Sequence, residues 1–300
     1  MQYLGKHKLN KATDFSQIQP LFICLGFPKC ATTWIHRQLE IHPEVGCTST
    51  KEVTYWTKNY AEGEDWYLSH FPVDLQHKIY AEVTPHYMSS ISLSRIAKDL
   101  SGHDLKFMVC LRDPCQRSYS HYHDVLRAGR TSGDFRKALN DIPELLNQSL
   151  YGKRIEEFLQ FFPRASLHVG FYEDIASSPE AFMRDVYQFI GVDQDFVSSN
   201  ASAVVNPGRR ATKFEVWLKR TEMWVKSAGL KREHLVKLGL WDKIDAFYRK
   251  LANKRPLPKI NDQELAHIRT LIHDDLELLK DLGVDWGDRW SSCPEHLKHF

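Results

Sequence analysis

The chain has almost no charge excess. Among its 300 residues, 40 lysines and arginines face 38 aspartates and glutamates, leaving a formal charge of +2. So weak a field argues against nucleic acid or an anionic membrane surface as partner, and any basic character that matters must be local. No stretch approaches the roughly 18 uninterrupted apolar residues of a membrane span. The leading segment MQYLGKHKLNKATDFSQIQP is polar and lacks the apolar core of a signal peptide. The six cysteines (Cys24, Cys30, Cys47, Cys110, Cys115 and Cys293) form no CxxC pair and no metal-ligand spacing. They read as reduced thiols, and Cys24 and Cys110 sit in apolar runs as small buried hydrophobes. There is no internal repeat and no low-complexity tract. These absences lead to the expectation of a soluble, cytoplasmic protein.

What the chain does have is core material: 42% of its residues are hydrophobic. Leu21–Phe27 is a short apolar run of β-formers bounded by Gly26 and Pro28, the pattern of a buried central strand. Residues 32–41 predict a helix whose threonines favour the N-cap. Further strands are expected at 78–87, ended by Pro85, at 106–111 and at 166–172. Helices are expected at 93–100, from Asp113-Pro114 through about Arg127, at 151–162, and at 179–190, where Gly191 closes the last. Buried strands alternating with helices imply an α/β fold, a central parallel β-sheet flanked by helices. From Thr212 onward the chain reads as a charge-rich helical extension, broken at Pro256 and Pro258 and ending in an amphipathic helix over 262–282. The expectation is one domain over 1–300: a polar lead at 1–20, a nucleotide-binding core at 21–200, and a basic loop with C-terminal helices at 201–300.

The chemistry gathers where the first strand meets the first helix, in GFPKCATTW from Gly26 to Trp34. A helix N-terminus offers unpaired N–H groups and the positive end of a dipole, and so attracts phosphate. Lys29 adds a point charge, Thr32 and Thr33 add hydroxyls, and the small Cys30 and Ala31 let the backbone approach an anion. The ATP-binding loop GxxxxGK[ST] does not match, because Pro28 precedes the lysine and Cys30 follows it. A second strand-to-helix segment, LRDPCQRSYSHY from Leu111 to Tyr122, carries Arg112 and, eight residues on, Ser120. A guanidinium and a hydroxyl suit a phosphate monoester dianion.

These two segments resemble the 5′-phosphosulfate loop (PKxGTT, with Ala31 at the usual glycine) and the 3′-phosphate motif of the sulfotransferase family. The resemblance leans toward the heparan-sulfate, or carbohydrate, type. Lys51-Glu52-Val53-Thr54-Tyr55-Trp56 is similar to that group's glutamate-containing KExxFF segment, and Asp65–Ser69 with Phe71-Pro72 to its WY…FP stretch. Ala81–Tyr87 is similar to EKTPxY, and Ser149-Leu150-Tyr151 with Phe161-Phe162-Pro163 to SLY…FFP. The likeness spans roughly residues 20–200, and Arg209 and Arg210 stand where a late basic loop would close over the nucleotide. Two positions depart from the pattern: Val83 replaces the lysine of EKTPxY, and Thr54 replaces a histidine after the glutamate. Both positions lie near acceptor saccharide in that group, so the acceptor is less defined than the donor.

The resemblance implies a P-loop-like sulfotransferase fold and transfer of a sulfuryl group from 3′-phosphoadenosine 5′-phosphosulfate (PAPS). The partner would be a small-molecule, glycan or glycolipid acceptor. It implies Lys29 at the leaving bridging oxygen and Glu52 as base for the acceptor hydroxyl, with no metal required. It implies nucleotide contacts from Lys29, Cys30, Ala31, Thr32, Thr33, Trp34, Arg112, Ser120, Tyr151, Arg209 and Arg210, and acceptor contacts from Glu82 and His86. Plainer readings stand beside these. Glu82, in an apolar strand, also suits a second acid or base, or a buried structural partner to Lys29 or Arg112; His86 and Trp34 also suit packing; Arg209 and Arg210 also suit a solvated patch. The aromatic band Tyr55, Trp56, Trp66, Tyr67 and Phe71 reads as core. A kinase of the same architecture, or a non-catalytic relative that keeps the nucleotide pocket, is the alternative to a sulfotransferase.

Overall fold

The structure, a computed structural model, describes residues 14–72, 77–131, 134–197 and 260–293. Five strands, β1 (Leu21–Gly26), β2 (Val45–Cys47), β3 (Ile79–Val83), β4 (Leu105–Leu111) and β5 (Leu167–Phe171), pair in parallel in the order β2-β3-β1-β4-β5. The helices are α1 (Thr32–Glu40), α2 (Glu64–Leu68), α3 (Ser90–Asp99), α4 (Pro114–Arg127), α5 (Phe135–Asp141), α6 (Glu144–Asn147), α7 (Tyr151–Leu159), α8 (Tyr172–Ser177), α9 (Pro179–Ile190) and α10 (Asp262–Asp281). The chain divides into two compact units, one of residues 1–111 with 153–205, the other of 112–152 with 206–300.

The first unit holds the whole sheet. β1 is central and every residue of it is buried, which is why its sequence is a continuous apolar run rather than an alternating one. From β1 the chain passes through α1 to the β2 edge; from β4 it continues to β5 at the opposite edge. Such a reversal between neighbouring strands opens a crevice at their carboxyl ends, where ligands of open α/β sheets bind. Gly26 ends β1 there and pairs with Val109 of β4. Tyr55, Trp56, Tyr67 and Phe71 are buried, as expected of the aromatic band, and Phe15 and Tyr87 are buried with them. Trp56 is anchored by a 3.1 Å bond from its indole N–H to Asp99. Trp66 is only partly covered and lies over Tyr55 with ring centroids 6.5 Å apart.

The second unit packs α4, α5, α6 and α10. Its α4 begins as the Asp-Pro pair foretells: Pro114 occupies the first turn and Asp113 accepts from the N–H groups of Cys115 and Gln116. α10 starts with a capping box between Asn261 and Glu264. It comes so close to the start of α7 that a Cβ on Gly152 would lie 2.5 Å from the carbonyl oxygen of Asp275. All six cysteines are free thiols, five of them buried and Cys47 partly so.

Most expected elements appear within a residue or two of their places. The differences have physical causes. The stretch expected as strand at 78–87 pairs only over Ile79–Val83, because Thr84 and Pro85 turn the chain out of the sheet. β2 is a three-residue edge strand, too short to show a period. The N-cap of α1 is Ala31, not a threonine: Ala31 is left-handed, and Thr32 and Thr33 form the helix's first turn.

Candidate active site

The loop from Gly26 to Thr32 is shaped by two residues with positive φ, Lys29 at 73° and Ala31 at 59°. Left-handed residues within a turn direct successive backbone N–H groups inward and make a concavity suited to anions. The loop feeds directly into α1, whose N-cap carries no side-chain hydrogen bond. Its first-turn donors are thus not satisfied by a side chain of the cap residue. Cys30 closes the turn with a 3.3 Å bond from its N–H to the Phe27 carbonyl. Lys29 and Thr33 are half-buried, while Cys30 and Thr32 are buried. Positive helix end, cationic side chain and small, close backbone together fit a phosphate or phosphosulfate group.

Glu52 is held at the end of the neighbouring strand, its N–H bonded to the Val83 carbonyl at 3.1 Å. The loop bearing it is left-handed twice, at Glu52 (φ 61°) and Thr54 (φ 54°). Asn59 stabilises this path by donating to the Val53 carbonyl at 2.8 Å and to Thr54 Oγ1 at 3.0 Å. The Glu52 carboxylate is exposed and forms an ion pair with Lys51. The phosphate loop and Glu52 therefore both hang from the carboxyl ends of the paired strands β1 and β3.

Glu82 is different. It is 0% exposed and faces Ile23 across the strand pair. Its Oε1 accepts from Thr84 and Tyr87 and its Oε2 from Tyr67, each at 2.7 Å. Desolvation raises its pKa above the ordinary 4.5, while those hydroxyls pull it back. The same burial, with the carboxylate alongside, pushes the Tyr67 and Tyr87 hydroxyls well above their ordinary range. Glu82 is thus a buried carboxylate whose bonded partners are hydroxyls, where the sequence suggests Lys29 or Arg112. His86 lies beyond β3 and is exposed. Trp34 is 4% exposed and meets Phe182 edge-on at 6.0 Å.

In the second unit, Arg112 is half-buried and Ser120 is 4% exposed on α4. Tyr151 is fully buried and donates its hydroxyl to the Arg112 carbonyl at 2.9 Å. It is thus placed to hold the arginine's backbone. Arg209 and Arg210 lie outside the described residues.

Sequence reasoning missed several participants. Lys51 stands in the quoted KEVTYW segment, yet nothing in a single sequence shows that it pairs with Glu52. Tyr67, Thr84 and Tyr87 were visible only as core and turn residues, and their common carboxylate partner emerges from the fold. Ser292 lies 179 positions from Asp113, to which it is bonded, and leaves no local signal. Among the described residues, one His–Asp–Glu group (His273, Asp274, Glu277) has ligating atoms within 4.8 Å on an outer face of α10. No described helix is long and apolar enough to cross a membrane.

A five-stranded parallel sheet with a phosphate-type loop after its central strand defines a nucleotide-binding α/β protein. Comparison with known proteins narrows this. The sulfotransferase domain family matches residues 19–238, most of the chain, and the protein belongs to that family. It is 36% identical over 108 residues to the membrane-associated sulfotransferase kil1 of Dictyostelium discoideum, covering 35% of this chain and 22% of that protein. It is 26% identical over 194 residues to heparan sulfate glucosamine 3-O-sulfotransferase 5 of Mus musculus, covering 60% of this chain and 55% of that protein. The chain thus spans about half of the mouse relative and a smaller share of kil1. A sulfotransferase from Alicyclobacillus acidocaldarius superposes with a TM-score of 0.54 at 21% identity, over 84% of this chain and 95% of that one. That likeness supports the fold.

Proposed function

We propose that this protein transfers a sulfuryl group from PAPS to an acceptor hydroxyl. The observation that carries the reading is the loop Gly26–Thr32: a lysine and an alanine in left-handed conformations, ahead of a helix whose N-cap residue makes no side-chain cap bond, in a chain of the sulfotransferase family. When bound, PAPS supplies the sulfuryl group, whose bond to the 5′-phosphate oxygen breaks as the acceptor oxygen bonds to sulfur.

Lys29 and the first N–H groups of α1 hold the 5′ end and meet the negative charge that builds on the departing oxygen. Glu52 accepts the proton of the attacking hydroxyl. Lys51, paired with the Glu52 carboxylate, sets its orientation before the acceptor arrives. Arg112 and Ser120 take the 3′-phosphate, a bidentate cation and a hydroxyl for a dianion. The acceptor is a saccharide, glycolipid or small-metabolite hydroxyl; the saccharide reading draws on the heparan sulfate relative.

Incubation with PAPS and a panel of these acceptor classes, read by mass, is expected to show the gain of one sulfuryl group. Lys29→Ala and Glu52→Gln are each expected to cut turnover about 10²–10⁴-fold. Normal transfer by both variants, with wild-type nucleotide binding, overturns the roles given to them. Phosphorylation from Mg·ATP in place of sulfation would favour a kinase.

A further inference from the structure

We propose that Ser292, in the C-terminal segment Trp290–Cys293, is a positioning residue for the 3′-phosphate arginine, acting through Asp113. The inference rests on the reading of Arg112 given above and lies wholly within the second unit. The segment falls outside the family match of residues 19–238.

Asp113 immediately follows Arg112 and is 3% exposed. Capping α4 uses only its Oδ1, which accepts from Cys115 N–H at 3.1 Å and Gln116 N–H at 3.2 Å. Its Oδ2 accepts the N–H of Ser292 at 3.0 Å, and the Ser292 hydroxyl donates to Oδ1. An ordinary N-cap leaves its second oxygen to water; here it is bonded to a residue 179 positions away. Ser292 is itself fixed, 3% exposed, its carbonyl accepting from Arg269 Nε on α10.

The same segment supports the other side of the arginine. Trp290 is fully buried, stacked on Trp286 with centroids 5.1 Å apart and 14° between planes. It packs at 5.8 Å against Tyr151, whose hydroxyl holds the Arg112 carbonyl. The backbone of Arg112 is therefore gripped at its own carbonyl and, one residue on, at the Asp113 carboxylate, and both grips trace to residues 290–292. A guanidinium leaving a fixed backbone loses less freedom on meeting a phosphate than one on a mobile turn, so the segment sharpens recognition of the 3′-phosphate.

Calorimetry on the full chain with adenosine 3′,5′-diphosphate and with AMP tests this, because only the first carries the group Arg112 reads. Ser292→Ala is expected to lose about 10-fold of the preference for the diphosphate while AMP affinity stays unchanged. Asp113→Asn is the second probe: asparagine caps α4 as well as aspartate but cannot accept the Ser292 N–H with its amide nitrogen. It is expected to lose preference as well, and the double variant to lose more than either single one, because Ser292→Ala removes the hydroxyl bond to Oδ1 while Asp113→Asn removes the N–H bond to Oδ2. A merely structural bond would lower both affinities together or neither, and either result overturns the inference. Arg112→Ala separates the two claims. If it leaves the preference intact, the reading of Arg112 falls and this inference with it. If it abolishes the preference while Ser292→Ala and Asp113→Asn keep it, only the positioning role is wrong.

Discussion

Tyr67 donates its hydroxyl to Glu82 Oε2 at 2.7 Å, and neither side chain reaches solvent. A carboxylate buried among hydroxyls is costly to ionise, and this one has its pKa raised by desolvation above 4.5. Between the unfolded and folded values the native state binds the extra proton. The stability Glu82 contributes is thus complete below the ordinary value and is lost as pH rises through the raised one. Glu82→Gln removes that slope. Urea unfolding of both proteins across this range is expected to show the variant gaining on wild type as pH rises, and parallel curves would contradict the assignment.

Tyr67→Phe leaves Oε2 without its hydroxyl. Loss of that bond is expected to cost about 1.5–3 kcal/mol at a pH above the raised pKa of Glu82, where the acceptor is charged, and less at a pH below it. Equal destabilisation at both pH values would mean that the ring's packing, not the bond, is what matters.

Ala31 holds a left-handed φ of 59° at a helix N-cap, where alanine is poor on two counts: its Cβ is strained and it offers no capping oxygen. Ala31→Gly is expected to stabilise the fold by about 0.5–1 kcal/mol, since relief of strain outweighs the added freedom of the unfolded chain. Chemical denaturation reads this directly. A destabilised variant would mean that the methyl group's packing matters more than its conformation.

Gly152→Ala sets a Cβ 2.5 Å from the Asp275 carbonyl oxygen and 2.8 Å from the Leu279 nitrogen, both backbone atoms of α10. Overpacking against rigid backbone is expected to cost about 3 kcal/mol, seen as a lower thermal midpoint. A shift of less than about a third of that would show α10 free to move aside.

The parts of this molecule that follow from local pattern were legible before the fold was known. The continuous apolar run of β1, the Asp113-Pro114 start of α4 and the left-handed Gly191 closing α9 are all local events, and all appear where the sequence puts them. The half-buried Lys29 and the exposed Glu52 are both legible as motif residues. What escaped was non-local or paid no regard to propensity. An edge strand of three residues has no period, and alanine is a poor guess for a left-handed cap. The bond from Tyr67 to Glu82 and the tie between Ser292 and Asp113 join residues 15 and 179 positions apart through the fold, and although Thr84 and Tyr87 stand close to Glu82 in sequence, only the turn after β3 brings their hydroxyls to its carboxylate.

The central claim is that this chain recognises a nucleotide phosphorylated at both ends. Isothermal calorimetry of the wild-type protein with adenosine 3′,5′-diphosphate against AMP tests it most directly. The diphosphate is expected to bind tighter by about 10–100-fold, the worth of one or two charge-assisted bonds to the 3′-phosphate. Equal affinity for the two nucleotides would contradict it.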